Sequence, residues 1–317
     1  MKGLFCMTPR IPEFTVGRGG GIRVEDSGFS FIFIDMTPGA GAGSVPLDID
    51  PPFSFLTGLP GIRTLLLRDS CNGLVLFEHR EQPLSGRLVY IVCNPTTKEW
   101  KAVPACGSPT LLTYPHLAFD PAVSTHFHLV QFQVGDDEEF LSVHAYSSET
   151  GAWSDNQIDH GWMEAGHLLP WRPSALKIAA LDVQGKATGM KITVPPVDDG
   201  SHRHALRYFG ESQGRLHCIT EELRLDSPEG QYKMYIWVLQ DYDTQKWVLK
   251  DTLITLEAFG DDMKFEVVDM HQDRDVVFFT HPVEHELVAY DMGSKKVSLV
   301  ATFHKKLIDT ARYVPCV

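Results

Sequence analysis

The amino-acid sequence predicts an all-β fold, a β-propeller of four-stranded antiparallel blades, about five to six in number, and three observations lead to this prediction. Apolar and β-branched residues occur in runs that are each too short for a stable helix. Gly, Pro, Asn and Asp bound these runs, as in turns. A pattern of strand, polar turn and aromatic or apolar residue recurs roughly every 40–50 residues, which is typical of propeller blades. The residues that close this pattern are Trp100, Trp153, Met190, Trp247 and Val297.

One complete blade is predicted within residues 65–104. Its four strands are Leu65–Leu67, Leu74–Phe77, Leu88–Val92 and Trp100–Val103. Asn72-Gly73 predicts a type I′ hairpin between the first two strands, because both central residues of that turn need positive φ. Asn94-Pro95-Thr96-Thr97 predicts the last hairpin, since Pro sets φ and the small polar side chains bond back to the backbone.

The same pattern predicts three further complete blades and one incomplete blade. The complete blades are blade two in residues 116–157, blade four in 205–253 and blade five in 264–303. Blade three is degenerate, because GWMEAGHLLPWRPS (161–174) does not resolve into two strands. We expect the ring to close by pairing of an N-terminal strand such as Phe29–Asp35 with the tail 312–317, since open sheet edges invite aggregation.

The predicted domain organisation is simple. Residues 1–28 contain Gly- and Pro-rich breaks without periodicity, so we expect a loosely ordered lead-in followed by a single propeller domain over 29–317. Trp100, Trp153 and Trp247 each follow a turn at the same offset. We expect their rings to be buried between neighbouring blades, although a ligand cage is the alternative.

Composition and charge exclude several classes of function. The chain has 43% hydrophobic and 22% charged residues, as is ordinary for a folded soluble protein. Its net charge of −13 argues against nucleic acid and favours neutral or basic partners. No apolar run is long enough to span a bilayer, and MKGLFCMTPR lacks the apolar core of a secretory signal. We therefore expect no membrane partner and a location in the cytoplasm or the nucleus.

No motif gives a strong indication of catalysis or metal binding. His281-Pro-Val-Glu284-His285 matches the H-x-x-E-H pattern of inverted zinc peptidases, which requires both His on one face of a helix. Pro282 and the strands on either side predict a hairpin loop instead. No G-x-S-x-G elbow or P-loop occurs in the sequence. We expect no catalytic residue, no metal and no cofactor.

Six segments match one known family in the same order over about residues 60–300. They are RDSCNGLVLF (68–77), VYIVCNPTTKEWKAVP (89–104), LAFDPAVSTHFHLVQF (117–132), VHAYSSETGAWS (143–154), FGESQGRLHCI (209–219) and IWVLQDYDTQKWVLK (236–250). They resemble the F-box-associated domain of plant F-box proteins. The resemblance implies a kelch-like propeller that recruits the substrate of a ubiquitin ligase, while an N-terminal F-box binds the Skp adaptor. Residues 1–60 lack the leucine-rich three-helix pattern of an F-box, so we expect the Skp adaptor not to bind this chain directly.

A partner-binding surface is predicted at one end of the blades. Loops between strands two and three and connections between blades emerge at that end, and the irregular insertions of the sequence fall there. The residues singled out for partner binding are Asp136, Asp137, Glu138, Glu139, Trp162, Trp171, Asp198 and Asp199, with Tyr114, Phe259 and His160 as further candidate anchors. They are either solvated loop tips or an acidic rim with aromatic anchors for a basic protein.

The sequence thus predicts a non-enzymatic protein-interaction module that recognises a protein substrate. The alternative is a propeller enzyme or a carbohydrate-binding lectin that uses the central channel. Convergent titratable residues with perturbed pKa values on the channel side would favour the enzyme.

Overall fold

A computed structural model provides the fold. The residues that it describes are 3–9, 14–16, 22–24, 29–36, 53–60, 62, 65–80, 88–104, 106, 112–134, 140–156, 177–181, 187–193, 195, 203–223, 232–260, 265–281, 283–307 and 309–313. The chain divides into two compact units. The first unit comprises Met1–Gln157, Val183–Gly185 and Lys305–Val317, and the second comprises Ile158–Asp182 and Lys186–His304.

The first unit contains two complete four-stranded antiparallel sheets and one three-stranded sheet. Blade one has strands β5 (Leu65–Cys71), β6 (Leu74–Arg80), β7 (Leu88–Cys93) and β8 (Trp100–Pro104), and blade two has β9 (Leu112–Ala118), β10 (His128–Val134), β11 (Phe140–Ser147) and β12 (Ala152–Asn156). The terminal sheet joins β1 (Gly3–Pro9), β4 (Phe29–Asp35) and β23 (Asp309–Tyr313), while β2 (Phe14–Val16) and β3 (Ile22–Val24) form a small hairpin and α1 spans Ser54–Thr57.

The second unit contains two more complete blades and a two-stranded sheet. The two-stranded sheet has β13 (Lys177–Leu181) and β14 (Ala187–Thr193), and blade four has β15 (Arg203–Ser212), β16 (Arg215–Leu223), β17 (Lys233–Asp241) and β18 (Lys246–Ile254). Helix α2 spans Thr255–Phe259, and blade five has β19 (Glu266–Met270), β20 (Val276–Thr280), β21 (Glu286–Asp291) and β22 (Lys296–Thr302). Within every complete blade the strands pair in sequence order, so the predicted fold class, an all-β propeller of four-stranded antiparallel blades, is confirmed. No helix in the described ranges is both long and apolar enough to cross a membrane.

Blade one shows why such short runs form strands. Asn72 and Gly73 have φ of 42° and 86°, so the predicted turn with two positive φ values is confirmed. Neighbouring residues of β6 bury in different cores: Phe77 packs with the terminal sheet, whereas Leu76 packs with residues of blade two. A sheet covered on both faces needs continuous apolar runs instead of alternation, and this accounts for LVLF in the sequence.

The prediction that residues 1–28 form a loosely ordered lead-in is wrong for residues 3–9. Residues 3–9 form β1, in which Leu4, Phe5 and Cys6 are fully buried. Strand β1 lies between β4 and β23 and pairs antiparallel with both. The prediction that the two ends of the chain share a sheet is therefore confirmed, but the direct partner of the tail is β1 and not Phe29–Asp35. The apolar run LFCM (4–7) is short and flanked by Gly3 and Pro9, so the sequence pattern alone does not distinguish it from a loop.

The tryptophans are less buried than predicted. Trp100 is 44% exposed, and Trp153 and Trp247 are half-buried. Each of them begins or nearly begins the outermost strand of its blade, so neighbouring strands cover only part of the ring. The Trp153 ring lies 5.5 Å from the Tyr146 ring, and its indole N–H donates to the carbonyl of Pro104 over 2.7 Å. Full burial between blades is thus wrong, although Trp153 does join two blades.

Both short helices belong to connections between blades and close apolar cores. Phe53, which precedes α1, is fully buried, and its ring lies 4.7 Å from that of Phe77. In the second unit Phe259 of α2 stacks on Phe265 at 3.9 Å. Phe259 is thus partly buried against the apolar core of this unit, and its role as a partner anchor stays a prediction. Tyr114, in contrast, is 37% exposed on β9.

The turn between the last two strands of each complete blade has a common geometry. The side-chain oxygens of Asn94, Asp241 and Asp291 accept hydrogen bonds from backbone amides two or three residues later, at 2.7–3.3 Å. The residue that ends each turn adopts the left-handed conformation. These residues are Lys98 (φ 62°), Gly151 (φ 68°), Gln245 (φ 52°) and Lys295 (φ 57°). This geometry is the physical cause of the repeated Asn/Asp-containing turn sequences.

We expect Gly151→Ala to lower the free energy of unfolding by about 1 kcal/mol, because a left-handed φ is costly for any residue with a Cβ. The added methyl group would meet nothing within 4 Å, so backbone strain alone is tested. Lys98→Gly removes the same strain in blade one and should cost little or stabilise. Gly293→Ala is the matched control, since Gly293 lies in the blade-five turn without a positive φ. Urea unfolding measures all three, and equal effects for Gly151→Ala and Gly293→Ala would contradict this account.

We expect Trp153→Ala to lower the free energy of unfolding by about 2 kcal/mol, less than the roughly 3–5 kcal/mol of a fully buried aromatic residue. Trp100→Ala should cost less than about 1 kcal/mol, because almost half of the ring is already in water. Thermal and urea unfolding of the two variants provide the measurement. A larger loss for Trp100 than for Trp153 would refute the assignment of Trp153 as the link between blades.

Candidate functional site

Each blade has two ends with different loops. The hairpin end carries the turn between strands one and two and the turn between strands three and four; the connection end carries the loop between strands two and three and the chain segments that join blades. All eight residues predicted to bind a partner lie outside the described residues. They are Asp136, Asp137, Glu138, Glu139, Trp162, Trp171, Asp198 and Asp199. The structure therefore describes only the parts of the blades that support these segments.

Two buried glutamines hold the base of one insertion at the connection end of blade two. Gln131 and Gln133 on β10 donate to the carbonyl of Cys106 at 2.6 and 2.7 Å. The carbonyl oxygen of the Gln131 side chain also faces the Cys106 amide at 3.4 Å. Ser142 continues the network, bonding to Gln133 at 3.1 Å and to His144 at 2.9 Å. The chain that leaves blade one is thus fastened to the interior of blade two.

Sequence analysis missed this network, although a signal was present. Gln131 and Gln133 alternate in FHLVQFQV, and alternation puts both side chains on one face of the strand. They are 0% and 2% exposed, so each amide needs partners inside the protein. A pair of amides on an otherwise apolar buried strand therefore indicates a backbone segment held beside it.

The connection end of blade five is fixed by a histidine. The backbone amides of Val283 and Glu284 donate to Nδ1 of buried His281 at 3.3 and 2.9 Å. His285 adopts a left-handed φ of 55° and precedes β21. The H-x-x-E-H segment is therefore a turn between β20 and β21, as predicted, and it lacks the helix that a zinc peptidase motif requires. In this turn His281 acts as a hydrogen-bond acceptor for the backbone.

The innermost strands carry ionisable groups at β-bulges. In blade one, Arg68 sits in a bulge of β5 and pairs with buried Glu78 at 2.7 Å. In blade four, Arg207 occupies the equivalent bulge of β15 and pairs with Glu221. Glu221 is fully buried, and its Oε1 has no hydrogen-bond partner among the described residues. The same position is Val268 in blade five.

An aspartate follows the bulges of β5 and β19 and bonds to backbone amides. Asp69 accepts from its neighbour Ser70 at 2.7 Å and from Leu117 of β9 at 2.9 Å, so it joins the innermost strands of blades one and two. Asp269 accepts from Met270 at 2.7 Å and from the Tyr208 hydroxyl at 2.9 Å. Both carboxylates therefore hold the innermost strands of neighbouring blades together.

Asp309 is the strongly perturbed carboxyl group on the innermost strands of the first unit. It begins β23, which lies beside β5, and its Oδ1 accepts from the Thr310 amide at 2.9 Å. The pKa of Asp309 is raised to about 6, chiefly by burial and to a smaller extent by the charge of Asp69, while the Thr310 amide and Arg68 act in the opposite direction. Asp309 is thus a carboxyl group with a pKa near neutral pH, and the charged side chains around it are paired with each other or hydrogen-bonded to the backbone.

We expect the stability of the chain to fall as the pH rises from about 4 to about 6 because of Asp309. An aspartate in an unfolded chain has a pKa near 3.9, whereas the pKa of Asp309 in the folded chain is about 6. Between these two pH values the folded state binds a proton that the unfolded state has already released. The stability that this proton provides is lost as the pH rises and Asp309 ionises in the folded chain. Asp309→Asn should therefore stabilise the protein by about 2 kcal/mol at pH 8 and have little effect at pH 4. Asp243→Asn, at an exposed turn position, is the control for loss of one negative charge. Urea unfolding at both pH values measures the difference, and a pH-independent effect of Asp309→Asn would overturn this assignment.

Comparison with known proteins places the fold in context. Among solved structures, the chain is similar to a chain of a nidogen/laminin complex, with 9% identity, a TM-score of 0.44 and coverage of 98% of this chain and 97% of that one. It is also similar to the GH93 α-L-arabinofuranosidase of Fusarium graminearum, with 11% identity, a TM-score of 0.44 and coverage of 80% and 82%. A third is the Cps50 (Swd1) β-propeller domain of Myceliophteria thermophila, with 9% identity, a TM-score of 0.35 and coverage of 79% and 88%. TM-scores this low support no functional comparison.

Sequence comparison is more specific. No curated protein matches the chain. A family model described as "F-box protein At3g26010-like, beta-propeller" matches residues 52–313. The match includes every complete blade and strand β23. The chain therefore belongs to the F-box protein At3g26010-like β-propeller family.

Proposed function

We propose that this chain is a non-enzymatic protein-interaction module that recognises the substrate of an F-box ubiquitin ligase. The observation that carries the proposal is the family match over residues 52–313, because it relates the chain to the propellers of F-box proteins. A propeller in such a protein serves recognition, and its loops supply the contacts. The chemistry of the described residues is compatible with this role, since Asp69 and Asp269 both bond to neighbouring strands.

The surface that we propose for recognition is the connection end of the blades. Gln131 and Gln133 fasten the base of one insertion there, and His281 fixes the turn between β20 and β21. Loops on a rigid support are the usual location of binding residues, because the support positions them while the loop sequence varies. The acidic run 136–139 falls in the sequence between β10 and β11, and the net charge of −13 favours a basic substrate.

An enzyme or a lectin that uses the innermost strands is the second candidate. The observation that favours an enzyme is Asp309, whose raised pKa of about 6 suits proton transfer near neutral pH. Such an activity would be lost in Asp309→Asn, whereas a recognition module would bind its substrate unchanged. A turnover activity of the parent chain that disappears in this variant would therefore favour the enzyme, whereas unchanged binding without any such activity would favour the recognition module.

The test of the recognition surface replaces Asp136, Asp137, Glu138 and Glu139 with Asn or Gln. The tagged chain is incubated with extract from the cells that express it, and captured proteins are quantified by mass spectrometry at several salt concentrations. We expect the principal captured protein to be depleted about ten-fold at low salt, because rim charges of a complementary interface control the rate of encounter and its salt dependence. The melting temperature should stay nearly the same, since exposed charges contribute little to stability.

The matched control replaces four exposed acidic residues at the hairpin ends of the blades. They are Glu99, Asp120, Glu149 and Asp243. This variant loses the same charge and should capture the same proteins as the parent chain. If both variants capture equally less of the protein, the effect is due to net charge alone. If neither variant captures less, the acidic residues 136–139 have no part in recognition.

The Skp adaptor provides a second test of the proposed place in a ligase. We expect the purified chain not to bind the adaptor by itself, because the described parts of residues 1–60 form strands and the single-turn helix α1. Direct binding at micromolar concentration would contradict this expectation and would place a docking element in that region.

A further inference from the structure

The hydrogen bonds of His217 identify its protonation state. His217 lies on β16 of blade four, opposite Gly210 and Val238 on the neighbouring strands, and is 1% exposed. Its Nδ1 lies 3.0 Å from the carbonyl oxygen of Arg215, and its Nε2 lies 3.3 Å from Nζ of Lys250. A carbonyl oxygen can only accept a hydrogen bond, whereas an ammonium group can only donate one. Nδ1 therefore carries the hydrogen, Nε2 is the acceptor, and the ring is neutral.

Lys250 connects His217 to blade five. It is the extra residue in a β-bulge of β18, and its Nζ pairs with Oδ1 of Asp275 at 2.6 Å. Asp275 lies in the turn between β19 and β20, and the same oxygen accepts a hydrogen bond from the side-chain amide of Gln213. Its backbone carbonyl accepts from the amide of Met292, after β21, at 2.9 Å. This ion pair thus joins the outermost strand of blade four to the hairpin end of blade five.

Two further hydrogen bonds hold the hairpin ends of these blades together, and both are accepted by backbone carbonyls. The Gln213 amide donates to the carbonyl of Gln272 at 2.6 Å, and the Ser212 hydroxyl donates to that of His271 at 2.7 Å. Gln213 has a left-handed φ of 53°, a conformation that persists only where the surroundings enforce it. Contacts with blade five therefore hold this turn in place, and among these contacts the bond to Asp275 depends on charge.

We propose that His217 is a pH-dependent switch for this junction, so that its protonation loosens the hairpin ends of blades four and five. A proton on Nε2 removes the acceptor of the Lys250 bond and places two positive charges 3.3 Å apart. Lys250 then has to leave its position, and its ion pair with Asp275 loses the support of the neutral ring. The switch lies at hairpin ends, whereas recognition is proposed at the connection ends, so either proposal can fail without the other.

The charges around His217 set the direction of the pH effect. The pKa of His217 is lowered, chiefly by burial and also by the charges of Lys250 and Arg215, whereas the Arg215 carbonyl and the charge of Asp275 act in the opposite direction. Hydrogen bonds from Lys250 above all, and from Gln213, lower the pKa of Asp275, so its carboxylate stays charged in mildly acidic solution. As the pH falls below about 6.5, the unfolded or opened chain binds a proton on this histidine before the folded chain does. Acidification therefore favours opening.

Hydrogen–deuterium exchange of the full chain at pH 7.5 and 5.5 tests the switch, after correction for the intrinsic pH dependence of exchange. We expect peptides that contain the amides of Gln213 and Met292 to exchange about three- to ten-fold faster at pH 5.5. One protonation can shift the opening equilibrium by at most about ten-fold for each pH unit below about 6.5. The turn 94–99 of the first unit is the internal reference and should show no such change.

The variants assign the effect to one side chain. In His217→Gln, which keeps a polar side chain but no titratable group, the pH effect should disappear. His304→Gln is the matched control, because His304 is an exposed histidine of the same unit, and it should retain the effect. Lys250→Met removes the ion pair directly, so the same peptides should exchange faster at both pH values and differ less than two-fold between them. This variant keeps His217 and provides the test if His217→Gln does not fold.

Nitrogen NMR of the imidazole rings tests the starting state. With ¹⁵N-labelled histidine, the signal that is lost in His217→Gln should show a hydrogen on Nδ1 at pH 7.5. A hydrogen on Nε2 at this pH would overturn the proposal. Exchange at Gln213 and Met292 that is independent of pH in the parent chain would also overturn it, as would an equally large pH effect in His217→Gln or Lys250→Met.

Discussion

The pairing of β1 with β23 is the constraint on which the first unit depends. Residues from the two ends of the chain meet in register, with Phe5 opposite Ala311 and Cys6 opposite Thr310. Phe5, Met7 and Ala311 then belong to one apolar core with Leu67, Phe77 and Ile91 of blade one. Without this pairing, an aromatic core of the first unit would lose one wall, and two further strand edges would be exposed to water and to other chains. The ends of the sequence are thus structural parts of the fold.

The joining of neighbouring sheets also explains why charged side chains occur on the innermost strands of the blades. Strand β5 bulges at Arg68 and β15 at Arg207, and a bulge leaves backbone groups without ladder partners. The carboxylate of Asp69 takes up such an amide and one amide of the next blade, so a local irregularity becomes a link between sheets. Arg68 compensates the buried charge of Glu78. Asp309 remains as the carboxyl group whose ionisation is opposed by burial, which makes it the pH-sensitive part of this arrangement.

Much of the fold could be predicted from sequence because its information is local. The strands of blade one and the Asn72-Gly73 turn follow from patterns within a few residues, and blades two, four and five repeat them. The exposure of Trp100 could not be predicted, since the local turn pattern is the same as at Trp153 and burial depends on packing against other sheets. Strand β1 could not be predicted from local patterns, because its partners lie 20 to 32 residues away in β4 and 302 to 310 residues away in β23. Of the candidate site, the supports at Gln131 and His281 are described, whereas the eight predicted contact residues are outside the described ranges.

Recognition is proposed to take place at the connection ends of the blades, where the loop sequences differ most and buried hydrogen bonds hold the bases of two loops. The most direct measurement is hydrogen–deuterium exchange of the chain alone and in complex with the protein that it captures. We expect slower exchange in segments 105–115, 135–139 and 157–176, with the hairpin-end turns 94–99 and 147–151 unchanged. Protection confined to those turns, or to the innermost strands β5, β9 and β23, would contradict recognition through the connection ends.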